Sequence, residues 1–527
     1  MKKFLANFRF LYTRENIILL VILVLASFLR LYRIQDYMTF LGDEGRDVLV
    51  AYNILHGHLT LLGPTSSVGG FFLGPIYYYF MAPFLLLFNY NPVGPAVMVA
   101  LFGIATVWLI YKFCSELFNK KIAIIASALY AISPLVLIYS RSSWNPNPLP
   151  FFALLTLYVL YKALDKNSTK LFLLVGFLLG ISLQLHYLTL FLGVIVFAYV
   201  ILAQVVDNNR ELAKAFLLSL KRNILILFGF LIGWSPLLAF EFRHNFLDFK
   251  NISNFILHSG NTGANSNFLY TVSDVFFRTF GRLVFNFPDN AHIKAYSPTL
   301  LVFWGGCIVL ISAISVFWVL RNLYQNLKSN KKDSKKYLLI SLWLFLGVLL
   351  FGFYKKAIYD YYFAFMFPMP FILIGGLIYQ ISEFKKFGKI FAASLLFIII
   401  LLNFWGLPFR YGPNRQLNQM ETIAKFVNGE TQGKPFNFAL ITGGNSDHAY
   451  RYFFTIWGNP PVTIQNSQND PNRKTVTNQL MVVCESLPCG PLGNSLWEIA
   501  GFGRADIAGK WNVSVVQVYK LIHHKEK

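Results

Sequence analysis

A polytopic, mainly α-helical membrane protein with a small α/β domain at its C-terminal end is the fold class this sequence predicts. Three observations predict it. The first is composition: 56% of the 527 residues are hydrophobic, 17% aromatic and only 13% charged. Mean hydropathy is +0.51, and a soluble domain usually carries about 25% charged residues. A chain this long and apolar cannot bury its greasy surface in one water-facing core. The second is a series of apolar runs near 16–34, 92–114, 121–139, 147–164, 170–186, 188–204, 223–240, 297–320, 337–353, 361–382 and 388–408. Each is close to the roughly 20 residues that cross the hydrocarbon as a helix. The third is the loss of membrane-length runs after residue 408, where the composition becomes that of a soluble segment.

The elements follow in order. The N-terminal "MKKFLANFRFLYTREN" is basic, then apolar, and lacks a small-residue cleavage site. It reads as an uncleaved first span. The run "IYYYFMAPFLLLF" (76–88) is short and aromatic, a twelfth span or a helix lying in the interface. Charge decides between them. With 76–88 interfacial and the N-terminus inside, most basic clusters fall in cytoplasmic loops. These are Lys112, Lys120 and Lys121; Lys162, Lys166 and Lys170; Arg210, Lys214, Lys221 and Arg222; the run 321–336; and Lys385, Lys386 and Lys389. That is the positive-inside pattern, and a spanning 76–88 would invert it. The same distribution removes the nucleic-acid reading of a net charge of +22, because the charges sit in short loops between apolar runs. The expected protein is a multi-pass plasma (inner) membrane protein with a cytoplasmic N-terminus and an extracytoplasmic C-terminal domain.

Two units are expected: a membrane module, 1–408, with external loops 35–91 and 241–296, and a soluble α/β domain, 409–527. In the latter a helix is expected at 417–428 and strands at 436–442, 480–485 and 513–522. Cys114 and Cys307 lie alone in apolar runs and read as small core residues. Cys484 and Cys489, in "CESLPC", form a disulfide in an oxidising exterior or remain two free thiols.

The external turns carry the chemistry. "TFLGDEGRDVLVAYNILHGH" (39–58) follows the first span and holds Asp43, Glu44, Arg46 and Asp47. Asp43 is placed to cap a helix whose Val48, Ala51, Tyr52 and Leu55 make an apolar stripe. A capped surface helix with solvated charges is the plain alternative to a catalytic acid pair. "YSRSSWNPNPLP" (139–150) supplies Tyr139, Arg141, Trp144, Asn145 and Asn147. His186 ends a span, and "EFRHNF" brings Glu241, Arg243 and His244. "YKKAIYDYYF" brings Lys355, Lys356 and Tyr361. Lys355 and Lys356 lie outside, against the charge rule, so an anionic headgroup is one reason for them and snorkelling is the other. Together these turns offer carboxylates, cations and aromatics at one membrane depth.

In order and content, "DEGRD", "GPIYYYFMAPFLLLF", "KFCSELFNKK" and "ASALYAISPLVLIYSRSSWNPNPLPFF" resemble the membrane-embedded GT-C glycosyltransferases. The similarity is to the bacterial relatives of the protein O-mannosyltransferases and the lipid A aminoarabinose transferase. It covers roughly residues 16–245, returns at "YDYYFAFMFPMPF" (359–371), and leaves out the C-terminal domain. The resemblance implies an inverting transfer of a sugar from a polyprenyl-phosphate carrier to a hydroxyl acceptor (lipid, glycan or protein) at the outer face. It matches Asp43 to the general base and Glu44 to its neighbour. Arg141, with Lys355 or Lys356, would face the donor phosphate. Tyr139, Asn145, Asn147, His186, Glu241, Arg243, His244 and Tyr361 would contact substrate. Several relatives carry an Asp where this chain has Asn145 and Asn147, and an amide can hold a sugar hydroxyl but cannot be an acid or base. A divalent metal is implied for some of the wider class. The spacing of His56, His58, His186 and His244 fits no compact ligand motif, and metal-independent catalysis is the expectation.

Other function classes stay open at this stage. A polymerase or ligase of lipid-linked glycans would use the same carrier. A transporter or flippase would bury ionisable groups at mid-membrane and often show repeats, but these spans are almost free of charge. A sensor would leave the acidic loop without a task.

Overall fold

The computed structural model describes residues 13–66, 68–207, 211–258, 260, 262–263, 267–329 and 333–525. The basic stretch 1–12 and Arg210 lie outside the described residues.

Each of the eleven apolar runs is helical. The membrane part comprises α1 (Arg14–Leu31), the short α2 (Ile34–Tyr37), α3 (Gly42–Leu55), α4 (Ile76–Leu87), α5 (Val93–Leu117), α6 (Lys120–Ile132), α7 (Pro134–Tyr139), α8 (Leu149–Lys166), α9 (Thr169–Leu185) and α10 (Leu190–Asp207). It continues with α11 (Leu212–Gly233), α12 (Ser235–Arg243), α13 (Leu247–Leu257), α14 (Phe268–Gly281), α15 (Pro298–Lys328), α16 (Ser334–Leu349), α17 (Pro368–Ser382) and α18 (Lys386–Trp405). Among the described residues, six helices are individually long and apolar enough to cross a membrane. A seventh crossing is made if the 3₁₀ turn Asp360–Met366 and α17, bent by 60°, count together. Prolines explain two of the interruptions: Pro134 starts α7 and Pro368 starts α17, where a missing N–H costs nothing.

The ends of the helices sort into two groups. At one end Lys120 meets Glu15 (3.8 Å), Lys121 meets Glu383 (3.2 Å) and Lys335 meets Asp207 (3.0 Å). There too Glu116 bridges Lys112 and Lys162, and Arg222 donates to Asn167 (2.7 Å). These are the loops that charge placed together. At the other end the α1–α2 corner joins the chain leaving α18: Arg415 N–H donates to the Asp36 carbonyl (2.9 Å) and Tyr37 to the Tyr411 carbonyl (3.0 Å). So the chain stays at this second end between α1 and α5. The twelve residues of α4 rise only about 18 Å, short of the roughly 30 Å hydrocarbon.

After α18 come α19 (Gln416–Glu430), β1 (Asn437–Ile441), α20 (His448–Ile456), β2 (Gln479–Cys484), the one-turn α21 (Trp497–Ala500), β3 (Ala505–Val513) and β4 (Val516–His523). The sheet order is β1-β2-β4-β3, with β1 and β2 parallel and the other pairs antiparallel. The expected helix and three strands are present near their predicted places. The structure adds α20 and β3, which sequence patterning did not single out. Cys484 and Cys489 are disulfide-bonded, while Cys114 and Cys307 are free.

Candidate active site

Helix α3 positions the acidic pair. Its buried stripe includes Val48 and Ala51, with Tyr52 and Leu55 packed at the edge. It is held between α4 and α20. Gly42 and Gly45 permit the second contact. A methyl group on Gly45 would lie 2.2 Å from the Ala449 backbone nitrogen, and one on Gly42 would lie 2.0 Å from Ser446 Oγ. The expected surface helix is therefore covered by the C-terminal region.

Asp43 does not cap this helix. Leu41 is the N-cap residue, and the Leu41 N–H donates to Glu44 Oε2 (3.0 Å). Asp43, one residue into the helix, accepts from Arg46 Nη1 (2.9 Å) and keeps 59% of its side chain exposed. Arg46 also pairs with the fully buried Asp47 (2.8 Å). One cation thus serves two carboxylates, and Asp43 is the one that opens to solvent.

Burial pushes Glu44 up to about 7 and Asp47 up to about 6, the latter against the pull of Arg46. The native state therefore holds the Glu44 proton more tightly than the unfolded chain, whose ordinary value is 4.5. Stability from this group is complete below that value and falls as pH rises towards about 7, by on the order of 3 kcal/mol. Glu44→Gln keeps an acceptor for the Leu41 N–H and cannot ionise. Melting curves from pH 5 to 8 in detergent are expected to show a steeper loss for the parent protein than for this variant.

Asp43 and Glu44 line a cavity of about 560 Å³ with Thr39, Leu41, Ile138, Tyr139, Ser142, Trp144, Asn147 and residues Gly444, Asn445 and Ser446 of the C-terminal region. Its walls come from the first loop, the 138–147 turn and a loop some 400 residues away in sequence. The turn is folded by its own amides: Asn147 donates to the Ser142 carbonyl (2.8 Å) and Asn145 to the Leu185 carbonyl (2.7 Å). Asn147 Oδ1 is buried and has no partner among the described residues.

A second cavity, about 540 Å³, is almost wholly apolar. Phe71, Phe72, Phe191, Phe230, Trp234, Phe249, Phe255, Tyr187 and Tyr354 are among its lining residues. Rings connect the two cavities. Trp144 lies 4.3 Å from Tyr361 between centroids, Tyr361 5.7 Å from His186, and His186 4.7 Å from Tyr187. Tyr187 then shares a 2.9 Å hydrogen bond with the Tyr354 hydroxyl. Lys355 and Lys356 directly follow Tyr354 and are exposed.

Other expected site residues take different places. Arg141 is buried, with Nη1 on the Leu29 carbonyl (2.5 Å) and Nη2 on the Tyr32 carbonyl (2.7 Å). Its guanidinium also faces the Tyr37 and Phe409 rings. It ties the end of α1 to the turn and does not line the acidic cavity, so the expected direct phosphate contact is not its geometry. Arg141→Ala leaves both carbonyls short of a donor, at about 1–3 kcal/mol each, and is expected to lower the melting temperature in detergent even without donor present. His186 is buried, its Nδ1 accepting from the Leu188 N–H (3.3 Å), and supports the ring series. Glu241 is fully buried and accepts from the Asp248 (3.2 Å) and Phe249 (3.1 Å) N–H groups, capping α13 beside the apolar cavity. His244 is stacked on Phe240, and Arg243 is exposed at the end of α12. None of these last three lines either cavity.

Sequence reasoning missed Asn445, Ser446 and Glu485 altogether. It also missed Arg278 and Arg282, which meet at Asp360 (2.5 and 3.1 Å). Arg278 also pairs with Asp274 and Arg282 with Asp289, so three carboxylates neutralise two guanidinium groups and leave no surplus for a phosphate. The Arg spacing in "RTFGR" was a visible signal; its acidic partners were not. Among the described residues no group of three or more His, Cys, Asp or Glu side chains is placed to hold a metal.

Residues 73–234 match the family model described as dolichyl-phosphate-mannose-protein mannosyltransferase. No curated protein matches the chain significantly in sequence. Solved structures match along most of its length. One is the oligosaccharyltransferase AglB from Archaeoglobus fulgidus, in complex with an inhibitory peptide and a dolichol-phosphate: TM-score 0.54, 13% identity, 89% of this chain and 69% of that one. Another is ArnT from Cupriavidus metallidurans bound to undecaprenyl phosphate: TM-score 0.57, 10% identity, 96% of this chain and 97% of that one. The chain therefore has the fold of the GT-C membrane glycosyltransferases, with a segment of its N-terminal half similar in sequence to the dolichyl-phosphate-mannose-protein mannosyltransferases.

Proposed function

We propose that the protein is an inverting glycosyltransferase that moves a sugar from a polyprenyl-phosphate carrier to a hydroxyl acceptor at the outer face of the plasma membrane. The observation that carries this reading is the pairing of two cavities. One presents an open carboxylate, Asp43, beside aromatic rings and amides. The other is a greasy chamber of a size suited to an isoprenoid chain, and a series of tilted, edge-on and stacked rings runs between them. The polyprenyl phosphates bound by ArnT and AglB support a carrier of that chemistry here.

In this reading the acceptor oxygen attacks the sugar's anomeric carbon from the face opposite the phosphate. The carbon–oxygen bond to phosphate breaks, and its electron pair stays with the carrier phosphate. Asp43 takes the acceptor's proton as attack proceeds. A carboxylate within hydrogen-bond reach is suited to this, and no strong general acid is needed because phosphate leaves readily. The departing charge needs cations. Lys355 and Lys356, next to the chamber's Tyr354, take that role in place of Arg141. Tyr139, Trp144 and Asn147 line the cavity that takes the sugar, while Tyr361, Asn145 and His186 hold the wall behind them. Glu44 orients the helix start. The acidic cavity and the C-terminal unit, 409–527, lie on the extracytoplasmic side, opposite the basic loops.

The match to AglB favours a second reading, transfer of a longer lipid-linked glycan in one step. Both are tested by incubating the purified protein with a panel of polyprenyl-phosphate sugars, and polyprenyl-diphosphate glycans, and scoring release of the free carrier. Release from no donor in either panel overturns both.

A further inference from the structure

Helix α3 starts without a cap of its own, because Leu41 at the N-cap has no side-chain acceptor. The Gly42 N–H instead donates to Asn445 Oδ1 (2.8 Å), an atom of the C-terminal region. The same oxygen accepts from the Ser446 N–H (2.9 Å). The other end of the amide is fixed as well: Asn445 Nδ2 donates to both oxygens of Glu485 (3.1 Å each). Glu485 further accepts from the Thr442 hydroxyl (2.8 Å) and the Tyr450 hydroxyl (2.9 Å). An ionised carboxylate can only accept, so it sets which way the amide faces. The amide oxygen must point to α3.

We propose that Asn445 is a positioning residue for Asp43: a cap supplied from the C-terminal region, oriented by Glu485, that fixes the first turn of α3. Asp43 follows the capped Gly42 by one residue, so its direction into the cavity depends on this bond. Burial of Glu44 and the pairing of Arg46 hold the turn from behind, and on the acceptor side Asn445 supplies the hydrogen bond to the Gly42 N–H, beside the packing of Gly42 and Gly45 on Ser446 and Ala449. The site is thus assembled from two parts of the chain, and the acceptor-side wall at Gly444–Ser446 is built by the part that sets Asp43. This inference rests on the reading of Asp43 as the base.

The test measures amide exchange over residues 40–47 and turnover in the full-length protein. Losing an N-cap is expected to speed exchange in that segment by about fivefold to tenfold in Asn445→Ala, with α5 and α9 unchanged. Small misplacements of a reacting group are costly, so kcat is expected to fall about tenfold or more while the donor KM changes little. Glu485→Ala frees the amide and is expected to behave alike, whereas Glu485→Gln keeps one carbonyl for Asn445 Nδ2 and restores most of the protection. Should Asn445→Ala fail to accumulate as folded protein, the contrast between Glu485→Ala and Glu485→Gln decides the matter. Unchanged exchange at 40–47, or a loss confined to KM, overturns the proposal. A parent protein inert on every donor defeats the functional reading instead, and the exchange result still stands.

Discussion

Asp43→Asn is expected to lower kcat about 10³-fold while the protein remains folded in the membrane. General-base assistance is worth about 10²–10⁴ in rate, which at about 1.4 kcal/mol per tenfold is on the order of 4 kcal/mol for the central value. Asparagine keeps the shape and one oxygen for Arg46, which donates at 2.9 Å to Asp43. It removes the basic lone pair that receives the proton. In the proposed mechanism the donor is bound by the apolar chamber and the cations near it, so the donor KM should stay within about threefold if uniform binding is untouched. Steady-state kinetics with the best donor from the panel, together with a melting curve, separate the possibilities. Full activity in Asp43→Asn would remove Asp43 from the mechanism. A large rise in KM with kcat unchanged would make it a binding group.

The contrast between Asp43 and Glu44 could not be read from adjacent letters. Sequence placed both in one acidic pair at a helix start, and both are there. Burial separates them: Glu44 is turned back onto the Leu41 N–H, while Asp43 is left open beside Arg46. Arg141 teaches the same limit from the other side. An arginine at the end of a span is visible in sequence. The two carbonyls that take its nitrogens, from Leu29 and Tyr32, come from the last turn of α1 and the residue after it, more than a hundred residues earlier. Glu241 likewise looked like a site residue because it is charged at a helix end, and it caps the next helix instead.

The membrane half was legible for a plain reason. Hydrocarbon demands apolar runs of about 20 residues with internally satisfied backbones, and that demand is written locally. Basic loops added an expected parity of the crossings, and the ion pairs Lys120–Glu15, Lys121–Glu383 and Lys335–Asp207 join helix ends that this parity puts on the same side. The C-terminal region makes no such demand. "HAYRYFFTI" is aromatic on one side and becomes α20 because it packs on α3, a contact unknowable from its own letters. "ADIAGKWNV" is an exposed edge strand with a register shift between Ile507 and Gly509, so its alternation is weak. The ring series from Trp144 to Tyr354 draws on three separate turns, and only folding brings them into line.

Gly45→Ala is expected to undo the docking of the C-terminal region, although the change is a single methyl group on a surface-looking loop. The added carbon would sit 2.2 Å from the Ala449 nitrogen, 2.4 Å from its Cα and 2.6 Å from the His448 carbonyl carbon. All three are backbone atoms, so no rotamer change relieves the clash, and α3 and α20 must separate. Overpacking of this kind costs about 1–3 kcal/mol, and the separation also stretches the Gly42–Asn445 bond. Gly193→Ala is the control, since nothing lies within 4 Å of a methyl group there, and alanine at a helical glycine is mildly favourable. Limited proteolysis should cut Gly45→Ala faster than the parent between α18 and α19, with turnover reduced at least as far as in Asn445→Ala, and leave Gly193→Ala like the parent. Equal cleavage in all three proteins with full turnover would show that α3 and α20 do not hold the two regions together. The spacing of the two glycines in "GDEGRD" would then owe nothing to the close approach of α20.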